Sequence, residues 1–316
     1  MTSIINEKVT NNFYKAFGLT INSAIPLPEL IPINERLEYE EVIISYGDLT
    51  ALKNTYLKEN RYFYVTKDLC LFHIPGVAIF SISRGEEIIV SPYENANSDQ
   101  IRLYVLGTCM GAILMQRKIL PLHGSAILID GKAYAIVGHS GAGKSTLASA
   151  FIQKGALLLS DDVIPIIFTE DNNPVIIPAY PQQKLWVESL NGFAIDHSNL
   201  RPIFNRENKY TIPVTNQFHD KPIALSGIIE LVKEVEKEEI SLTMIDKMKR
   251  FPLLYEHTYR NFFLNGMNQV EWHFSESAKV ASKVPIYRVE RPTSYFSAYE
   301  LVDLIKSVME IETVST

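Results

Sequence analysis

Cysteine is scarce: Cys70 and Cys109 are the only two in 316 residues. That excludes a disulfide-stapled scaffold and a cysteine-rich zinc site, and it suits a reducing compartment. Positive charge is not in excess either, since 30 Lys plus Arg stand against 36 Asp plus Glu, a formal charge of −6. A general nucleic-acid binder needs a basic face, so nucleic acid is not an expected partner. Long hydrophobic runs are also missing. The longest uncharged apolar stretch, residues 103–116 between Arg102 and Arg117, falls short of the roughly 20 residues that cross a bilayer and reads as a buried core helix. Residues 1–8 lack a basic start leading into an apolar segment, so no secretory signal is expected. Together these absences predict a cytoplasmic chain with no membrane attachment. There is no internal repeat, and the charged run 233–239 reads as a solvated turn.

What is present is ordinary globular material, 47% hydrophobic and 21% charged, long enough for two units. Residues 1–98 read as a β-rich N-terminal domain. Short β-branched and aromatic runs at 41–45, 62–65, 78–82 and 87–91 are punctuated by Gly, Pro, Asn and Asp. Residues 99–316 read as a second, α/β domain that opens on the buried helix 99–118. Next comes a hairpin, 125–129 and 133–137, turned at Asp130-Gly131. A helix over 144–154 ends at Gly155, and a short strand over 156–159 is closed by Ser160-Asp161-Asp162. A further strand covers 163–168. Residues 169–220 read as polar loop, and an apolar strand returns at 221–233. A helix over 246–265 is expected to break at Pro252. Ser297 and Glu300 have the spacing of a capping box, ahead of an amphipathic C-terminal helix carrying Leu301, Leu304, Ile305 and Val308.

The chemistry concentrates between these elements. Gly138-His139-Ser140-Gly141-Ala142-Gly143-Lys144-Ser145 fits the phosphate-loop pattern G-x-x-x-x-G-K-[ST], and Thr146 follows. The glycines let successive backbone N–H groups turn inward on a phosphate, and the helix that follows adds its positive dipole end. Lys144 would bridge the β- and γ-phosphates, and the Ser145 hydroxyl would ligate Mg²⁺. A chance glycine turn is the bland alternative, and the strand before and helix after oppose it. Asp161 and Asp162 follow the next strand, where P-loop proteins commonly place a Mg²⁺-supporting carboxylate; Ser-Asp-Asp also suits a plain turn or cap. His123 lies one hairpin upstream, where it is either structural or able to polarise an acceptor hydroxyl.

The blocks Leu122-His123-Gly124-Ser125, Gly138 to Thr146 and Leu159-Ser160-Asp161-Asp162-Val163 resemble the catalytic domain of HPr kinase/phosphorylase. The resemblance implies an active site built from the histidine, the P-loop and the paired aspartates, with Asp162 as acid/base on a seryl oxygen. It also implies a glutamate near Mg²⁺, for which Glu188 has a similar spacing. The glycine-rich signature that follows that glutamate in the family is absent; the chain reads Glu188-Ser-Leu-Asn-Gly-Phe-Ala-Ile195. Tyr14-Lys-Ala-Phe-Gly-Leu19, Ile25-Pro-Leu-Pro-Glu-Leu30, Arg102-Leu-Tyr-Val-Leu-Gly107 and Gln116-Arg117 before Leu120-Pro-Leu-His123 resemble the HPr-kinase-like proteins found with lasso-peptide biosynthesis. Members of that group phosphorylate a C-terminal serine of a precursor peptide.

The expectation is therefore an α/β kinase with ATP in the loop of residues 138–146 and Mg²⁺ on Ser145, Asp161 and Glu188. Catalysis falls to Lys144, Asp162 and His123, and the partner is a precursor peptide. Lys209, Arg250 and Arg260 are candidate contacts for phosphate or for a peptide carboxylate, with a surface charge as the plainer reading of each. Three alternatives stay open: an HPr-type kinase/phosphorylase, a non-catalytic ATP-binding switch and a small-molecule kinase. Oligomeric state, a homo-oligomer included, is also open.

Overall fold

The computed structural model describes residues 12–34, 41–58, 61–203 and 206–314. The reading of residues 1–8 lies outside them. The chain is α/β, with a β-rich N-terminal part and a P-loop part that ends on a long helix. Eight N-terminal strands form one sheet in the spatial order Ile31–Pro32, Asn12–Ala16, Leu19–Ser23, Glu41–Tyr46, Glu87–Pro92, Ala78–Ser83, Leu69–Ile74, Phe63–Val65. A short helix, Thr50–Tyr56, was not expected from sequence. It fully buries none of its residues, so it carries no apolar stripe for a pattern to reveal.

The apolar segment after this sheet is helical, as expected, but its middle turn, Val105–Cys109, is π-helical between Ser98–Tyr104 and Met110–Gln116. Val105, Leu106, Cys109 and Met110 pack in one core cluster with Phe72, Phe80 and Val90 of the sheet. Tyr180, Tyr259 and Phe263 from much later in the chain join the same cluster. Burying a side chain of Leu or Phe size stabilises by about 1.5–3 kcal/mol, so this core ties the N-terminal sheet to the segments that carry the site.

The second sheet has seven strands in the order Lys132–Val137, Leu120–Ile129, Leu157–Phe168, Pro174–Ile176, Ile223–Glu234, Ile286–Pro292, Ser241–Met244. Lys132–Val137 also pairs in parallel with Ile223–Glu234, so five of the strands close into a ring. Ile286–Pro292 continues the parallel set beside Ile223–Glu234. The expected hairpin is present: Asp130 and Gly131 both have positive φ, 47° and 79°, as a two-residue primed turn requires. Gly155, at φ 95°, ends the helix Lys144–Gln153, and Ala156 N–H returns to the Phe151 carbonyl at 3.0 Å. Leu147, Ala148 and Phe151 of that helix bury against Leu301, Val302 and Ile305 of the closing helix Ala298–Val314.

Several expectations need correction. Ser160-Asp161-Asp162 does not close a strand, because Leu157–Phe168 is continuous through it. Pairing with Ser125 and Gly124 holds the aspartates in the ladder, and a register shift between Leu158 and Ser160 absorbs the irregularity. Residues 169–220 are not simply loop: Gln182–Trp186, Arg206–Pro213 and Arg201–Ile203 form a three-stranded sheet. Pro252 does not break its helix, which runs Lys247–Glu256 with Leu253 and Leu254 buried just beyond it. The capping box is not formed. Ser297 Oγ is buried with no hydrogen-bond partner, and the Glu300 carboxylate instead accepts from the Tyr295 hydroxyl at 2.8 Å.

One buried histidine makes stability depend on pH. His273 is 3% exposed, with Nε2 2.7 Å from Thr258 Oγ1. Burial lowers its pKa from 6.5 to about 4. The fold accepts the neutral ring, so this contribution is complete above about pH 6.5 and is lost as pH falls toward 4. Between pH 7 and pH 5 the loss is about 2 kcal/mol. In urea unfolding, His273→Gln should lose less stability than wild type over that interval by about this amount. Equal losses would refute the assignment.

Candidate active site

The phosphate loop leaves the carboxyl end of Lys132–Val137, beside its parallel neighbour Ile223–Glu234. Gly138, Gly141 and Gly143 have φ of 146°, 79° and 106°. A Cβ on Gly138 would lie 2.4 Å from the Leu231 carbonyl oxygen, so space as well as conformation demands glycine there. Lys144 is buried, and its Nζ donates to the carbonyls of Gly138 at 2.8 Å and His139 at 3.1 Å. Burial lowers its pKa, ahead of the opposing pull of Asp161 and Asp162. Ser140, Gly141, Gly143, Lys144, Ser145 and Thr146 line a cavity of about 770 Å³, within the usual size of a small-molecule site. Ala142 is buried and points its carbonyl at Arg291. Two loop side chains have partners outside the loop. His139 turns outward to Glu256, Nε2 to Oε1 3.1 Å, while Thr146 Oγ1 meets Ser189 Oγ at 2.7 Å.

The two aspartates divide the cavity floor. Asp161 is 4% exposed, and its Oδ1 accepts from Ser145 Oγ at 2.8 Å and Ser125 Oγ at 2.6 Å. Its Oδ2 accepts the Lys184 backbone N–H at 2.9 Å. Asp162 takes a left-handed φ of 84°, which turns its side chain away from that of Asp161. Its Oδ2 is 3.1 Å from Lys184 Nζ and its Oδ1 is 3.4 Å from His123 Nδ1. His123 Nδ1–H also donates to the Asp162 carbonyl at 3.0 Å, a tautomer assigned from these acceptors. Burial opposes the charge on Asp162, but the Lys184 ammonium, the largest opposing cause, outweighs it and holds the carboxyl well below the usual range. Burial also works against the Lys184 charge, and Asp162 overrides it, so that pKa is raised. For His123, burial outweighs the pull of Asp162, and the ring stays neutral near pH 7.

A third wall comes from further along the chain. His257–Tyr259 runs beside the start of Leu120–Ile129: the His257 carbonyl accepts His123 N–H at 2.7 Å, and Tyr259 N–H donates to Pro121. The Tyr259 ring lies over Gly107 and Gly111. A Cβ on Gly111 would meet it at 2.6 Å, so the helix glycines make room for it beside Asp162. Burial and then Asp162 raise the Tyr259 pKa, so its hydroxyl stays protonated. Arg260, at φ 52°, faces the cavity and donates from Nη2 to Thr108 Oγ1 at 3.1 Å. Lys209 also lines the cavity, with Nζ 5.4 Å from the Trp186 ring centroid.

Most sequence candidates therefore meet at one cavity. Glu188 lines it and is exposed. Arg250 does not: it is buried elsewhere, donating to the carbonyls of Ile245, Ala281 and Val284, and so is neither a surface charge nor a ligand contact. Sequence reasoning gave no role to Ser125, although it ends the block Leu122–Ser125, and missed Lys184, Tyr259 and Arg291, which belong to no motif that it singled out. Among the described residues no three His, Cys, Asp or Glu side chains gather as a metal cage. The hard-oxygen pair Ser145 and Asp161, with Glu188 on the same cavity, does fit a magnesium ion held largely through nucleotide phosphates. Among the described residues no helix is long and apolar enough to cross a membrane.

No model of a known protein family matches the chain. Over 61 residues it is 39% identical to HPr kinase/phosphorylase of Mycoplasmopsis pulmonis, covering 19% of this chain and 20% of that protein. Over 110 residues it is 28% identical to HPr kinase/phosphorylase of Lactobacillus gasseri, covering 32% and 34%. The chain thus spans between a fifth and a third of the length of these curated relatives. Among solved structures it is similar to the HPr(Ser) kinase/phosphatase from Coxiella burnetii, at 14% identity and a TM-score of 0.35, over 61% of this chain and 97% of that one. The sequence likeness of this chain, in both curated relatives, is to HPr kinase/phosphorylase.

Proposed function

We propose that the chain is an ATP-dependent kinase, and that its acceptor is the side chain of a C-terminal serine on a ribosomal (lasso-type) precursor peptide in the cytoplasm. The observation that carries the transfer chemistry is the meeting of two sets of groups in one cavity. Lys144, Ser145 and Asp161 form a phosphate and metal side, and His123, Asp162 and Lys184 form an acceptor side. ATP lies with its phosphates in the loop of residues 138–146. Ser145 and Asp161, with Glu188 near, would hold magnesium, which would supply charge neutralisation on the phosphates. The seryl oxygen attacks the γ-phosphorus, the bond to the β-phosphate oxygen breaks, ADP leaves, and the hydroxyl proton passes to Asp162 Oδ1. Lys184 already occupies Oδ2, so the hydroxyl approaches on the His123 side. A carboxylate with a depressed pKa is a weak base, which suits a loose transition state in which orientation matters more than early proton removal.

Arg260 supports the choice of acceptor. Its guanidinium, steadied by Thr108, stands on the cavity wall where it could grip a carboxylate next to the reacting hydroxyl. A second reading rests on the likeness to HPr kinase/phosphorylase, which makes HPr the alternative acceptor. The test incubates the protein with Mg-ATP and three peptides: one ending in serine, the same ending in serine amide, and one with the serine moved inward. By mass spectrometry the free-acid terminal serine should gain one phosphate fastest. Equal labelling of all three would show that the carboxylate is not read, and labelling of HPr alone would favour the second reading.

A further inference from the structure

The three loop glycines each face a different group on the neighbouring parallel strands. Gly138 faces the Leu231 carbonyl; a Cβ on Gly141 would lie 3.7 Å from Lys233 Nζ, and one on Gly143 would lie 3.3 Å from Arg291 Nη2. Lys233 and Arg291 are register partners near the carboxyl ends of Ile223–Glu234 and Ile286–Pro292. The phosphate loop leaves its own strand, parallel to Ile223–Glu234, at this same end. Arg291 is half-buried, with Nε donating to the Ala142 carbonyl at 2.9 Å and Nη1 to its neighbour Pro292 at 3.1 Å. Both N–H groups of Nη2, the atom nearest Gly143, are left over. Among the described residues no carboxylate pairs with Arg291 or Lys233, and burial alone accounts for the lowered Arg291 pKa. Buried charges are ordinarily paired, and this half-buried guanidinium turns its remaining donor edge to the phosphate loop at Gly143.

We propose that Arg291, with Lys233 beside it, forms a second cationic edge of the phosphate site and contacts the polyphosphate chain of the bound nucleotide from the side opposite Lys144. This rests on the reading of the loop as a nucleotide site but not on the identity of the acceptor. Arg291 touches ligand and loop at once: Nε holds the Ala142 carbonyl so that the loop amides stay turned inward, and Nη2 meets the phosphates. Lys233 makes no such loop bond and contributes charge alone.

The test measures Kd for ATP and for inorganic tripolyphosphate at low and high ionic strength, together with the thermal midpoint of the free protein. Arg291→Gln should weaken both ligands by about 10- to 100-fold at low salt, the loss of a charge-assisted contact. Lys233→Gln, at an exposed position that leaves the fold intact, should weaken both by a few-fold, with the thermal midpoint unchanged. Both losses should shrink as salt rises. Arg291→Gln that lowers the thermal midpoint but leaves both Kd values within twofold would overturn the proposal and make Arg291 a loop brace only. Loss of ATP without loss of tripolyphosphate would also overturn it, because the effect would then lie at the nucleoside. Wild type that binds Mg-ATP but labels no peptide and no HPr would sink the kinase reading and leave this one standing.

Discussion

Asp162→Asn should lower phosphoryl transfer by about 10²–10⁴-fold while leaving ATP affinity close to wild type. Asparagine is the informative replacement because it also tolerates the left-handed backbone that position 162 adopts, at φ 84°. The amide can still accept from Lys184 but cannot take the acceptor proton. Asp161→Asn should behave differently. Its carboxylate holds the Ser145 hydroxyl on the nucleotide side, so its loss should raise the magnesium concentration needed for half-maximal rate. Steady-state kinetics with ATP and magnesium varied separately would distinguish the two. Wild-type transfer in Asp162→Asn, with loss in Asp161→Asn, would reverse the roles.

The parts of this site legible in the sequence are those written contiguously. The phosphate loop and the aspartate pair each occupy a few successive residues whose spacing is fixed by the phosphate or metal they would meet. The hairpin turn and the glycine stop after the loop helix were legible for the same reason, because a local backbone requirement selects the residue. Lys184 was not legible. It reaches Asp162 only because a three-stranded sheet forms within what read as polar loop, and its short strands carry too few apolar residues to show a period of two. Arg250, Arg260 and Arg291 look alike as letters, yet they take three different fates. The first is buried among helix-end carbonyls, the second stands on the cavity wall, and the third is set by strand register beside the loop. Long-range pairing separates them, and no window of sequence contains it. The strand break expected at Ser160-Asp161-Asp162 failed for a related reason. Local propensity disfavours a strand there, but hydrogen bonds to Ser125, Ser145 and Lys184 satisfy Asp161 within the sheet.

Lys184→Met carries the largest expected effect on stability. Lys184 braces both carboxylates at once, with its backbone N–H on Asp161 and its ammonium on Asp162, and it is 7% exposed. Methionine keeps the backbone bond and the volume but removes the ammonium, which leaves Asp162 as a charge without its principal partner. Breaking a buried ion pair from one side costs about 3–5 kcal/mol, the lower end applying here because the Asp162 side chain is 28% exposed, whereas removing both charges together is often near neutral. Lys184→Met should therefore lose about that much in urea unfolding at pH 7, and the double variant Lys184→Met with Asp162→Asn should regain most of it. Transfer should not return in the double variant, since the proton acceptor is gone, although ATP binding should, because Lys144 and the loop are untouched. A single variant as stable as wild type would mean that Asp162 does not depend on Lys184 for its charge. Transfer restored in the double variant would remove Asp162 from the acceptor side of the mechanism.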